Sequence, residues 1–556
     1  MKKKKILLLL FLVLLVLILP GAVYYKIQLY KLSYMHTYLH ILEENYISSN
    51  QKKLDILKYD LSFDLYPEEK MFIGNAILTG KVLDPAIESI DLNFYDNFDI
   101  KKILLNDVQT EYENEGTRLS IPYSSIYGTD FKLEVHYKGT PRKAGLEGFV
   151  FGKRNGTSLV YNLSEPNYAS SWFPCNDIPF DKTLLEISIT NDSGMVSVSN
   201  GVLVDVSTNG DRRTYRWKTE YPISTYLVAI YSSDYEYFSD EYISLDGMDT
   251  MSVEYYVLPD KLEKAKKDFS THVNMLEIFS QMFGEYPFLK EKYGVAEFLW
   301  FPGAMEHQTI TGVSSNMISG NKFFEDTYVH ELAHQWWGNA VSPKSWKDIW
   351  LNEGFATYSE ALYYEAVSGA KALQSTMLGK YSSSFSGSLS EPGPFLFTRT
   401  MYDKGAWVLH MLRWEIGDSS FFKILETYYD TYKYSNASIN DFKAVCEDVS
   451  GKNLDKFFDQ WVYGKGQIEL EYNTESVKSG DGYLIKIPLQ QIQEDYEEYH
   501  IPLEVKMIFK DSLEKKFRYE IVSRDTVLEI STDAIPDSIE LDPDRWLLAV
   551  INMKDE

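Results

Sequence analysis

Val329-His330-Glu331-Leu332-Ala333-His334-Gln335-Trp336-Trp337 puts two histidines four residues apart within a segment of helical periodicity, residues 323–338. On a helix such side chains lie one above the other on the same face, so both imidazoles reach a single ion. Leu332, Trp336 and Trp337 already supply a packing face, so an ordinary helix carrying two histidines is the bland alternative. Nineteen residues beyond His334, the run Trp350-Leu351-Asn352-Glu353-Gly354-Phe355-Ala356 sets Glu353 at the head of another helical segment. Alone, Glu353 reads as a solvated first-turn acid. Paired with the histidines it completes His₂Glu, one of the established three-ligand sets of catalytic zinc, which leaves a fourth position for water. Zinc lowers the pKa of such a water to about 7, and a neighbouring carboxylate can accept the proton. Glu331, between the histidines, is the candidate base. The expectation is one Zn²⁺ per chain on His330, His334 and Glu353.

Outward from this block the periodicity changes. Upstream, Tyr59, Leu61, Phe63 and Leu65 alternate with Asp60, Ser62 and Asp64, and similar runs recur near Leu92 and Val135, with turn signals such as Asn209-Gly210 between them. Helix-length segments are predicted over residues 269–283, 323–338, 355–367 and 405–414. Beyond Gly466 alternation returns in residues 483–487, 501–509 and 526–530, enough for a small β-sandwich. The predicted fold class is multidomain α+β. A mostly antiparallel β domain covers 52–255, a largely helical zinc domain 256–466 and a C-terminal β-sandwich 467–556. No repeat at a fixed period is present, and residues 382–389 (SSSFSGSL) read as a surface loop.

The full length of 556 residues excludes a single small binding module. The 44% hydrophobic and 15% aromatic content supports packed cores rather than disorder. With 55 basic and 81 acidic side chains the formal charge is −26, which repels phosphate backbones, so no nucleic acid partner is expected. Cys175 and Cys446 form no Cys-x-x-Cys pattern, which leaves any metal to His and carboxylate; Cys175 reads as a buried structural thiol. At the amino end Lys2–Lys5 precede an apolar run of roughly 18 residues, 6–23, between the lengths of a signal peptide and a membrane span. The poor cleavage site around Ala22 and the aromatic pair Tyr24-Tyr25 favour a signal anchor over 1–25, followed by a linker over 26–51. The lysines then stay cytoplasmic and the catalytic part faces outward; secretion after cleavage is the alternative.

HELAHQWWGN, WLNEGFATYSE and FPGAMEHQT together resemble the membrane alanyl aminopeptidase family of zinc metallopeptidases, the gluzincins. LSEPNYASSWFPCNDIPFDKT, MYDKGAWVLHML and LDPDRWLL extend the likeness over nearly the whole chain after residue 50. The resemblance implies a thermolysin-like catalytic domain, zinc on His330, His334 and Glu353, and Glu331 as general base. It implies that Glu306, with Glu165 from the β domain, holds the free amino terminus of a peptide. Gly303, Ala304 and His307 are candidate contacts to the substrate backbone, and Tyr402, in Met401-Tyr402-Asp403-Lys404-Gly405, is the donor to the oxyanion. Two carboxylates converging on one ammonium restrict cleavage to the terminal bond, since an internal peptide leaves those charges unpaired. Two departures stand out: His307 replaces the family's Asn, and Ser170 and Ile178 replace Arg and Glu; a short form without the family's long carboxy-terminal helical domain, and so with a more open cleft, is the expectation. The implied function is a cell-surface aminopeptidase acting on peptides with a free N-terminus. A zinc endopeptidase and a catalytically silent tethered binding protein are the alternatives.

Overall fold

The computed structural model describes residues 46–124, 128–301, 303–393 and 395–554. The predicted anchor and the linker up to residue 45 lie outside the described residues. Among the described residues no helix is long and apolar enough to cross a membrane.

The alternation read at Tyr59–Leu65 becomes β1 (Leu54–Tyr66), whose Tyr59, Leu61, Phe63 and Leu65 are all buried. β1 pairs antiparallel with β2 (Met71–Val82), Leu61 opposite Ala76, in an eight-stranded sheet. A second sheet carries the hairpin of β3 (Gly148–Arg154) and β4 (Thr157–Leu163), and β4 leads directly into the segment bearing Glu165. The other neighbour of β1 is β5 (Leu184–Asp192), and this pair is parallel, with Leu61 opposite Ile187. The two-residue alternation is the same in both orientations, so the sequence pattern did not distinguish them. Cys175 is fully buried, and burial raises its thiol well above the usual range.

The middle block holds the four expected helices, α1 (His272–Phe283), α2 (Glu325–Ala333), α3 (Trp350–Ser368) and α5 (Gly405–Ile416), and also α4 (Ala370–Gly379), which the periodicity did not predict. They pack beside a five-stranded sheet that includes β6 (Tyr293–Phe298), β7 (Ala304–Met305) and β8 (Thr311–Ser314). That sheet also takes in Glu236–Ile243 and Thr250–Val257, so it runs across residue 255. Alternation identifies a strand but not the sheet it joins. All 14 residues from Trp350 to Tyr363 of α3 are buried, which makes it the central helix of the block.

Two C-terminal sheets, one built on Gly482–Gln491 and one on Ile501–Ile508, form the expected β sandwich. Aromatic stacking joins it to α5. The Trp546 ring lies 4.4 Å from His410 and 5.2 Å from Trp414, both nearly parallel, and Trp414 Nε1–H donates to Pro502 O at 2.8 Å. Trp546→Ala should therefore cost about 2–3 kcal/mol, short of the 3–5 for a fully enclosed tryptophan because Trp546 is only partly buried. A thermal unfolding midpoint unchanged from the parent would rule this out.

Candidate metal centre and active site

α2 presents His330, and His334 caps its C-terminal end. Their Nε2 atoms are 3.0 Å apart, and Glu353 Oε2, from the first turn of α3, lies 3.5 Å from each. Partners on the far side of each ring fix the tautomers. His334 Nδ1–H donates to the carbonyl of Trp337 at 2.9 Å, and His330 Nδ1 lies 2.9 Å from the carboxylate of Glu360. With the proton on Nδ1 in both rings, both Nε2 lone pairs aim at one point. Glu353 Oε2 is buried and has no hydrogen-bond partner. Burial opposes charge on all three groups, yet Glu353 and Glu360 raise His330 to about 10 and the nearby acids raise His334 to about 9. The same histidines hold Glu353 down at about 2. Three buried groups that stabilise positive charge between them fit a divalent cation, and the His₂Glu donor set is that of zinc.

α3 and α5 cross at glycines. A Cβ on Gly354 would stand 2.9 Å from the Cα of Gly405, and one on Gly405 would stand 2.8 Å from the Cα of Gly354. This approach brings the turn before α5 against the metal helices. That turn, Thr400–Lys404, is a single π-helical turn, a local widening often found at functional sites. It sets the Tyr402 ring over His330, 5.8 Å between centroids and 15° from parallel. Burial, then the surrounding acids, raise Tyr402 well above 10, so it stays a hydroxyl donor.

Glu306 follows β7, and its backbone carbonyl accepts from Asn339 Nδ2 at 2.6 Å and Gln335 Nε2 at 3.2 Å, which registers it to the residues just past His334. Glu306 Oε1 and Glu165 Oε1 are buried without a hydrogen-bond partner. Burial, followed by the charge of Glu306, raises Glu165 well above the usual range. Burial also pushes Glu331 up to about 8, with His330 pulling down and Glu306 pushing up. A dication held by the triad would favour the carboxylate form of Glu331.

Glu165, Gly303, Ala304, Glu306, His330, Glu331, His334, Glu353 and Tyr402 all line one cavity of about 350 Å³. His307 does not. Its imidazole is fully buried, with Nδ1 2.6 Å from the Tyr231 hydroxyl, and burial lowers it to about 3. Its imidazole thus lies outside the cavity that holds the triad, whereas the contact expected of this segment is with the substrate backbone. Residue type and position along the chain do not reveal that a ring points inward. The cavity also holds groups that the sequence reading passed over, among them Leu146, Leu163, Trp300, Phe397, Glu360 and Lys380. Of these Glu360 left a trace, seven residues after Glu353 on the same face of α3.

The family model described as the peptidase family M1 domain matches residues 268–461, the span holding every proposed zinc ligand, and the peptidase M1 N-terminal domain matches 56–227. The chain belongs to peptidase family M1. Among M1 relatives, the "Probable aminopeptidase 2" of Sulfurisphaera tokodaii is 27% identical over 72% of this chain and 56% of its own length. The "Aminopeptidase M1-D" of Oryza sativa subsp. japonica is 30% identical over 60% of this chain and 40% of its own. The chain thus spans about half the length of the curated relatives it matches. The M1 zinc metallopeptidase of Deinococcus radiodurans superposes with a TM-score of 0.65 at 25% identity, covering 74% of this chain and 95% of that one. Legionella pneumophila aminopeptidase A, at 18% identity, shares the fold over 91% of this chain and 60% of its own, with a TM-score of 0.78.

Proposed function

We propose that this M1 chain is a zinc aminopeptidase that hydrolyses the first peptide bond of substrates with a free amino terminus. The observation that carries this reading is the pair of buried, unpartnered carboxylate oxygens of Glu165 and Glu306 beside the His330–His334–Glu353 triad. A buried acid without a partner is costly, and an α-ammonium supplies the missing charge and donors. The two acids hold the amino terminus within the cavity that contains the triad, which limits how far the first carbonyl extends toward it. When bound, zinc supplies a Lewis acid that polarises that carbonyl and acidifies water. Glu331 accepts the proton of the attacking water and delivers it to the leaving amine. Tyr402 donates its hydroxyl hydrogen to the developing oxyanion. A mutant of a two-domain M1 zinc metallopeptidase, 25% identical to this chain, has been crystallised with L-tryptophan bound, which supports a site for single terminal residues.

The deciding experiment measures hydrolysis of aminoacyl reporters with free and acetylated amino groups, with and without a chelator. Cleavage of the free form alone, abolished by the chelator, is expected. Equal cleavage of both forms would sink the exopeptidase reading in favour of an endopeptidase. No cleavage of either would favour a silent binding protein. Tyr402→Phe should lower kcat by about 10²–10³-fold, the loss typical of one oxyanion donor. An unchanged kcat in steady-state assays would remove Tyr402 from the chemistry.

For the site of action, we place residues 1–25 as a membrane anchor with the catalytic part outside the cell, on the strength of the lysine cluster and apolar run. Recovery of the full-length chain in a soluble cell fraction would contradict that placement.

A further inference from the structure

Several charged groups in the cavity, Lys380 among them, have no part in the proposed chemistry. Lys380 caps the C-terminal end of α4, where the serine-rich segment begins, and its side chain is 24% exposed. Its ammonium donates to Glu360 Oε2 at 2.6 Å, while Glu360 Oε1 holds His330 Nδ1 at 2.9 Å. Both oxygens of this buried carboxylate are therefore engaged, one by a cation and one by a metal ligand. A second acid, Asp403, also acts on Lys380 through its charge, and it sits beside Tyr402 in the π-helical turn. Arg399 Nε donates to Asp403 at 2.6 Å, so that acid has a partner of its own.

Take the ammonium away, and Glu360 keeps His330 as its one partner. A carboxylate enclosed in that way rotates toward another donor or water, and the imidazole it steadied turns with it. We propose that Lys380 is a positioning residue of the metal centre: by fixing Glu360 it holds the His330 ring so that Nε2 faces the ion. The inference rests on the reading of His330, His334 and Glu353 as zinc ligands.

The test compares zinc dissociation constants, measured by competition with a chelator, for the parent, Lys380→Met, Lys380→Arg, Glu360→Gln and the double variant Glu360→Gln/Lys380→Met. Lys380→Met should bind zinc about tenfold or more weakly, the lower end of losses for groups that orient ligands. Lys380→Arg should stay within a few-fold of the parent. In the Glu360→Gln background, loss of Lys380 should weaken zinc no further, because the lysine acts through that acid. Should Lys380→Met fail to fold, Lys380→Gln takes its place in the same comparison. Zinc held as tightly by the lysine variants as by the parent, or an undiminished further loss in the Glu360→Gln background, would overturn the role of Lys380. A parent that binds no zinc would overturn the ligand reading and the inference with it.

Discussion

Glu331→Gln should keep its zinc and lose turnover by about 10²–10⁴-fold, the contribution expected of a positioned general base. Glutamine preserves the shape of the side chain but cannot accept a proton from water. Glu331 is not among the three groups whose donor atoms converge within 4.8 Å, so the metal content should match the parent. The deficit should fall on kcat with little change in KM, because the interaction is made in the transition state. Elemental analysis together with steady-state kinetics checks both halves. A variant as active as the parent would remove Glu331 as the base, and one stripped of zinc would show that its role is structural.

The second large effect is expected from Glu353→Ala. Removing one of three ligands leaves two imidazoles and an uncompensated opening, and zinc is expected to dissociate under ordinary dialysis. Several kcal/mol of charge stabilisation go with it, so activity should fall about 10³-fold or more. Stability should fall as well. An ion present at a thousand times its dissociation constant stabilises the fold by about 4 kcal/mol, and the variant should lose that increment. Adding zinc should then raise the unfolding midpoint of the parent but not that of the variant. A variant that retains zinc and activity would show that Glu353 is not a ligand.

Much of the site was legible in the sequence because helical spacing is a rigid ruler. His330 and His334 at i and i+4, and Glu353 in the first turn of the next long helix, needed only the two helices to meet. Gly354 and Gly405 are what allow the approach that adds Tyr402. Tyr402 itself was visible only through its neighbours, since a chain with 42 tyrosines gives no single one weight. Lys380 was invisible, because its partner Glu360 lies 20 residues away and only the packing of α3 and α4 brings them together. The direction of the His307 ring was also invisible, because its place beside Glu306 does not show that the imidazole turns to the buried Tyr231 hydroxyl. The fold class followed from where the two-residue period gives way to the helical one. The parallel pairing of Leu54–Tyr66 with Leu184–Asp192 did not, because strand alternation carries no direction.

The most direct test is a crystal structure of the purified protein with anomalous scattering recorded on both sides of the zinc absorption edge. One strong peak should appear about 2.0–2.2 Å from His330 Nε2, His334 Nε2 and a Glu353 oxygen, and vanish below the edge. No peak at that position, or a peak on other side chains with these three apart, would contradict the account.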